Sequence, residues 1–155
     1  MYISQVSNNL YRGSRPKSYL DLYSLKKNIG MIIDLESGVY EGLHEDLYEY
    51  QNSKDFGIVK HNLKCNDFLP PSKKRVIEFL HLLDAFKDVN IFVHCLHGAD
   101  RTGYMIGMYR YIIDRWSIDK IFNEMNRFGF HNMPYIWWKG IFKMRCDAIE
   151  KAYRT

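Results

Sequence analysis

The chain reads as an α/β fold, a central, mostly parallel sheet of four to five strands flanked by helices. Three observations predict it. Short β-prone apolar runs at residues 31–35, 58–63 and 91–93 alternate with helical patterns at 18–28, 72–86 and from 102 onward. The run Ile91-Phe92-Val93 passes through a tight loop straight into a helical pattern. The 155 residues are 46% hydrophobic, which fits one domain over residues 1–155 with a substantial core and argues against disorder.

Each element follows from local pattern. Residues 2–6 and 9–12 read as two short extended pieces joined at the turn-prone pair Ser7-Asn8, and Arg15-Pro16 ends that region. Ser18 is placed to cap a helix whose inner face carries Leu22 and Leu25; Lys26-Lys27 suit its last turn and Gly30 stops it. Residues 31–35 form a buried strand, with Asp34 at its end as a loop-shaping carboxylate. Residues 36–49 hold Glu36, Glu41, Glu45, Asp46 and Glu49 with no Lys or Arg, and Leu43, Leu47 and Tyr50 suggest a helix with a solvated acidic face. Residues 58–63 alternate as a strand, and Pro70-Pro71 force a loop after it. Ser72 caps the next helix, whose apolar face is Val76, Phe79, Leu80 and Leu83. Its first turn, Lys73-Lys74-Arg75, opposes the helix dipole, a local misfit that suggests either a site for a multiply charged anion or a solvated basic turn. Ser117 caps a helix closed by Gly129. Pro134 suits the first turn of a last helix to about Tyr153, in which Trp137, Trp138, Ile141, Phe142 and Ile149 read as core.

The stretch from Ile91 to Gly103 carries the chemistry. Cys95 falls where a buried strand ends and Arg101 where a helix begins, with Met105, Met108, Tyr109, Ile112 and Ile113 on one face of that helix. A loop of inward N–H groups closed by a helix N-terminus concentrates positive potential and favours an anion. Gly98 permits a positive φ inside that loop, Gly103 permits close packing of the first helical turn, and the Arg101 fork fits two oxygens of a phosphoryl group. The same environment favours a nucleophilic thiolate over a structural buried cysteine at Cys95.

The string HCLHGADRTG resembles the signature of the cysteine-dependent tyrosine and dual-specificity phosphatases, and is most similar to their small bacterial dual-specificity-like branch. Leu10 to Pro16, Met31 to Glu36 and Phe128 to His131 share that resemblance, which therefore covers most of the chain. It implies a tyrosine-phosphatase-like fold and hydrolysis of phosphate monoesters through a phosphocysteine. Cys95 is then the nucleophile, Arg101 the binder of phosphoryl oxygens and transition state, Thr102 the hydroxyl that serves the thiolate, and His94 the residue that orients Cys95 from behind. Leu96, His97, Gly98, Ala99, Asp100 and Arg101 form the phosphate loop. Asp67, in the loop before Pro70-Pro71, is the expected general acid, or else an Asx-type turn former. Asp100 is the rival acid, since phosphoinositide phosphatases of the myotubularin type look similar there; otherwise it is a loop carboxylate. Arg12 and Arg15 either reach the loop or sit in solvent, Arg15 more on the side of solvent. Lys73, Lys74, Arg75 and His131 are further candidate substrate contacts. The glutamine-rich loops of the large tyrosine phosphatases have no counterpart here.

Composition sets bounds on the rest. A net charge of +4 suits an anionic substrate without announcing a nucleic-acid binder. The three cysteines, Cys65, Cys95 and Cys146, suggest no disulfide framework, although Cys65 is a candidate to protect Cys95 under oxidation. No signal-like segment or bilayer-length apolar run appears, so a cytoplasmic monomer without stable membrane insertion is expected. No cofactor and no metal are called for: His94, Cys95, His97 and Asp100 are too tightly spaced in one loop to converge on one ion. The expected substrate is a phosphorylated protein, with an inositol phosphate or phosphoinositide as the alternative. An RNA 5'-triphosphatase and a non-catalytic phosphate-binding module stand further back, and no nucleic acid is expected as a partner.

Overall fold

A computed structural model describes residues 1–37, 52–130 and 135–155. Five strands form one sheet: β1 (Ile3–Gln5), β2 (Leu10–Ser14), β3 (Met31–Asp34), β4 (Val59–Asn62) and β5 (Ile91–Cys95), in the spatial order β1-β2-β5-β3-β4. Only β1 runs antiparallel to its neighbour; β2, β5, β3 and β4 are parallel. The α/β reading with a mostly parallel sheet of four to five strands therefore holds.

Period-two alternation sends each strand's side chains to opposite faces. On one face Met31, Ile33, Ile91 and Val93 pack with α2 (Lys73–Ala85), α3 (Asp100–Ile112), α4 (Ile118–Arg127) and α5 (Ile136–Arg154). On the other, Ile32 and Phe92 pack with Leu22 and Leu25 of α1 (Tyr19–Lys26) and with Phe56 of a short 3₁₀ turn, Lys54–Phe56. Ser18, Ser72 and Ser117 each accept an N–H of the first turn of α1, α2 and α4, the capping role their sequence positions suggested. α3 is buried on nearly every side, Tyr104 and Ile106 as well as Met105, Met108 and Ile112, because it lies between the sheet and the other helices. Ile113, which the helical spacing placed on the inner face, lies past the helix end at 40% exposure.

Three readings are corrected. Glu36 does not open a solvated acidic face: it is buried, next to the end of β3. Arg15 is buried, not in solvent. Trp137 is 44% exposed, because Trp138 fills the inward position of α5 and its neighbour one residue away must point elsewhere. The proposed acidic helix beyond Ser37 lies outside the described residues, as do His131 and Pro134.

Parallel pairing aligns the carboxyl ends of the strands. Gly13 pairs with His94, Ser14 with Cys95, Asp34 with both His94 and Asn62. The loops that follow β2, β3, β4 and β5 thus open at one edge of the sheet, where ligands of such folds bind. The helical layer is tied together by Phe142, fully buried between the rings of Tyr104 at 5.3 Å and Phe122 at 5.8 Å. Phe142→Ala should lower the unfolding free energy by about 3–5 kcal/mol, whereas Met144→Ala, on the exposed side of the same helix, should stay within about 0.5 kcal/mol, both read by urea denaturation.

Candidate active site

β5 delivers Cys95 to the sheet edge and α3 begins five residues later, so residues 96–99 must turn back within a single short loop. Gly98 makes the turn at φ 70°. A Cβ there would stand 2.3 Å from the Gly13 carbonyl oxygen, so no larger residue fits. The Gly98 carbonyl is held by two donors, Tyr2 Oη at 2.5 Å and Arg12 Nη2 at 2.9 Å. Arg12 is buried, its guanidinium 4.0 Å from the centre of the Phe128 ring. Of the two readings open for it, the structure shows Arg12 at the loop, on this carbonyl and from a buried position. Tyr2, which the sequence marked only as part of a strand, is brought there by the β1–β2 pairing. Burial pushes its hydroxyl above the ordinary tyrosine range against the pull of Arg12, so it remains a donor.

Cys95 is buried at 3% exposure, and Thr102 Oγ1 donates to its Sγ at 3.1 Å. His94 is fully buried behind it, with Nδ1 3.1 Å from the Cys95 carbonyl oxygen and the ring stacked on Phe92. Arg101, in the first turn of α3, directs Nη1 to Asp67 Oδ1 at 2.8 Å, and Ser37 Oγ donates to the same oxygen at 3.0 Å. The structure therefore brings Asp67 to Arg101 from 34 residues away. Asp100 occupies the first position of α3, where the helix N-terminus favours a carboxylate. Lys73 and Lys74 are exposed at the start of α2, and Arg75 pairs with Glu78 at 2.9 Å. The Arg101 and Arg75 charges favour the Cys65 thiolate. Burial nevertheless pushes Cys65 up to about 12, and the thiol donates to the Leu63 carbonyl. All three cysteines are free.

Behind the loop lies a buried charged network that the sequence did not reveal. Arg15 Nε bonds both carboxylate oxygens of Glu36 at 2.9 Å, and its own backbone N–H donates to the Leu96 carbonyl at 3.2 Å. Asp34 Oδ1 accepts the Glu36 N–H at 2.9 Å, the loop-shaping part its position suggested, and Oδ2 lies 3.2 Å from Lys60 Nζ. Ligand atoms of Asp34, Glu36 and His94 fall within 4.8 Å of one another, the one grouping of the described residues with metal-like spacing. Arg15 lies against Glu36 and Lys60 against Asp34, so each of the two carboxyl groups already has a basic partner.

A strand-end cysteine, a glycine-turned loop and a threonine bonded to the cysteine sulfur have relatives elsewhere. The tyrosine phosphatase family profile matches residues 2–137. The chain belongs to that family. It is 24% identical over 144 residues to the mRNA-capping enzyme of Caenorhabditis elegans, covering 88% of this chain and 22% of that protein. It is 27% identical over 130 residues to the probable tyrosine-protein phosphatase DG1060 of Dictyostelium discoideum, covering 80% of this chain and 74% of that protein. The chain spans less than a third of the first curated relatives it matches, 30% in the case of the mouse RNA/RNP complex-1-interacting phosphatase, to which it is 38% identical over 101 residues covering 63% of this chain. The fold superposes on the catalytic core of the PP-IP phosphatase Siw14 from S. cerevisiae with a TM-score of 0.76 at 23% identity, over 97% of this chain and 89% of that one.

The Arg15–Glu36 pair generates a test. Replacing one member of the buried pair strands the Arg15 guanidinium without its acceptor, so Glu36→Leu should cost about 3–5 kcal/mol. Burial raises the Glu36 carboxyl from 4.5 to about 8. Folding therefore takes up a proton, and this contribution to stability is complete below pH 4.5 and lost as the pH rises through about 8. Urea unfolding across that window should show a steeper decline in the wild type than in the double variant Arg15→Met/Glu36→Leu.

Proposed function

We propose that this chain is a cysteine-dependent phosphatase that hydrolyses phosphate monoesters in two steps, with phosphotyrosine-type protein substrates as the first choice. The observation that carries the reading is the Thr102 hydroxyl bonded to the Cys95 sulfur at the floor of a glycine-turned loop, with Arg101 beside it. In the first step the Cys95 thiolate attacks phosphorus, the S–P bond forms, the P–O bond to the leaving group breaks, and Asp67 protonates the departing oxygen. In the second, Asp67 takes a proton from water, the water oxygen attacks phosphorus, and the S–P bond breaks with Thr102 donating to the departing sulfur. Loop amides and Arg101 hold the phosphoryl oxygens throughout, and His94 holds the Cys95 carbonyl from behind.

Asp67 is preferred to Asp100 as the acid because its carboxylate meets Arg101 across the site, whereas Asp100 sits at the helix N-terminus. The Arg101–Asp67 pair is then a resting contact. A phosphate dianion offers the guanidinium fork two oxygens and a larger charge, and displaces the carboxylate toward the leaving group.

A second reading, an inositol phosphate or phosphoinositide, is favoured by exposed Lys73 and Lys74 at the mouth of α2. Against it, the loop carries Leu96 and Ala99, which add no positive charge. The likeness to the Siw14 core concerns the fold, and the match to a capping enzyme makes 5'-triphosphorylated RNA a useful control substrate.

Hydrolysis of p-nitrophenyl phosphate, unaffected by chelator and lost in Cys95→Ser, is the expected outcome; chelator sensitivity, or turnover in Cys95→Ser, would overturn the mechanism. A panel of phosphotyrosine peptides, inositol phosphates and triphosphorylated RNA should favour the peptides. A preference for inositol phosphates that disappears in Lys73→Ala/Lys74→Ala would reverse the substrate order.

A further inference from the structure

We propose that the N-terminal turn of α5 is a latch that holds the Asp67 loop over the phosphate site, with Tyr135 and Trp138 as its positioning residues. Two consecutive carbonyls of the loop are taken by this turn. Tyr135 Oη donates to the Asp67 carbonyl oxygen at 3.2 Å, and Trp138 Nε1 donates to the Phe68 carbonyl oxygen at 3.3 Å. The proposal rests on Asp67 as the general acid and adds what fixes that acid in place.

The loop is also held in its middle through the Asp67 carboxylate, which accepts from Arg101 Nη1 and Ser37 Oγ and which a bound phosphate would release from Arg101. Its entry is tied by the Cys65 N–H to the Leu35 carbonyl at 3.0 Å, and its exit is stiffened by buried Pro70 and Pro71. Between these, Asn66 Oδ1 accepts the N–H groups of Phe68 and Leu69 at 2.8 and 3.1 Å, which shapes the turn without attaching it to another element. Phe68 and Leu69 are 57% and 55% exposed, so side-chain burial does not anchor it either. The carbonyl contacts to α5 do not involve the Asp67 carboxylate, so they keep the loop attached when a phosphate takes Arg101 from it.

The two donors are themselves rigid. Trp138 is fully buried, edge-on to Tyr135 at 4.7 Å, Phe130 at 6.2 Å and Tyr104 at 6.3 Å, so its indole N–H cannot follow a moving loop. Tyr135 is pinned against Trp138. Burial and the nearby Asp100 charge keep its hydroxyl above the ordinary tyrosine range, hence a standing donor. An acid delivers its proton only when it sits within hydrogen-bond reach of the leaving oxygen. Releasing the loop should therefore slow transfer to esters whose leaving group needs that proton and spare those that leave unaided.

The experiment measures kcat/KM, which reports transfer to Cys95, for phenyl phosphate and for 2,4-dinitrophenyl phosphate. Tyr135→Phe removes one hydroxyl and keeps the ring. It should lower kcat/KM for phenyl phosphate by about two- to tenfold, the net worth of one hydrogen bond, and leave the dinitrophenyl ester nearly unchanged. Trp138→Phe, with its thermal unfolding followed in parallel, should act in the same direction, and the double variant should approach Asp67→Asn. Equal losses on both esters, or none on phenyl phosphate, in a Tyr135→Phe protein that melts like the wild type would overturn the latch, provided Asp67→Asn shows the leaving-group-dependent loss. If Asp67→Asn lacks that signature, the acid assignment fails first and the latch falls with it.

Discussion

The close approach of Gly98 to Gly13 constrains everything at the sheet edge. A side chain at Gly13 would stand 2.1 Å from the Tyr2 carbonyl oxygen, and one at Gly98 2.3 Å from the Gly13 carbonyl oxygen. Three segments far apart in sequence therefore meet at backbone distance. A loop that presents N–H groups to an anion must turn its carbonyls elsewhere, and a buried carbonyl needs a donor. Tyr2 and Arg12 are those donors for Gly98. Arg12 can be buried as a cation because the Phe128 ring, just past α4, covers it. The shape of a four-residue loop thus draws on β1, β2 and the end of α4.

The second constraint is electrostatic. β3 and β5 end side by side, which places Asp34, Glu36 and His94 in the same buried volume. Two carboxyl groups buried there need basic partners, and Lys60 from β4 and Arg15 from beyond β2 supply them. Arg15 does two things at once. Its side chain bonds both carboxyl oxygens of Glu36, and its backbone N–H bonds the carbonyl of Leu96, the first residue of the loop. Moving the network would move the loop, so its orientation is coupled to the charge balance behind it.

The difference between what the sequence revealed and what it did not follows the range of the interactions. Strand-loop-helix order at Ile91 to Gly103, the serine caps at 18, 72 and 117, and the core faces of α1 and α2 rest on neighbours within a few residues, and periodicity exposes them. Asp67 was approachable because the Pro70-Pro71 loop is itself a local signal and the resemblance supplied the acid; its contact with Arg101, 34 residues away, has no local signature. Arg15 and Glu36 each look, taken alone, like a surface charge. Their burial depends on meeting across 21 residues, which no local pattern records. Tyr2 and Tyr135 fall in the same class: a tyrosine hydroxyl reaching a distant carbonyl has no sequence signature, and Trp137 and Trp138 are indistinguishable until the helix phase is set.

Trp138 shows why the site and the core are hard to separate in this chain. Its ring belongs to the buried cluster between sheet and helices, and its indole N–H emerges at the edge of that cluster to meet the Phe68 carbonyl. An indole suits this position because it carries a large apolar surface and a single donor at one end. Phenylalanine would fill most of the space and lose the bond. Arginine or lysine would reach the carbonyl and bury a charge. The choice of tryptophan is thus set jointly by packing on one side and by the loop's backbone on the other. The helix that completes the hydrophobic layer is, by the same residue, the helix that meets the loop bearing Asp67.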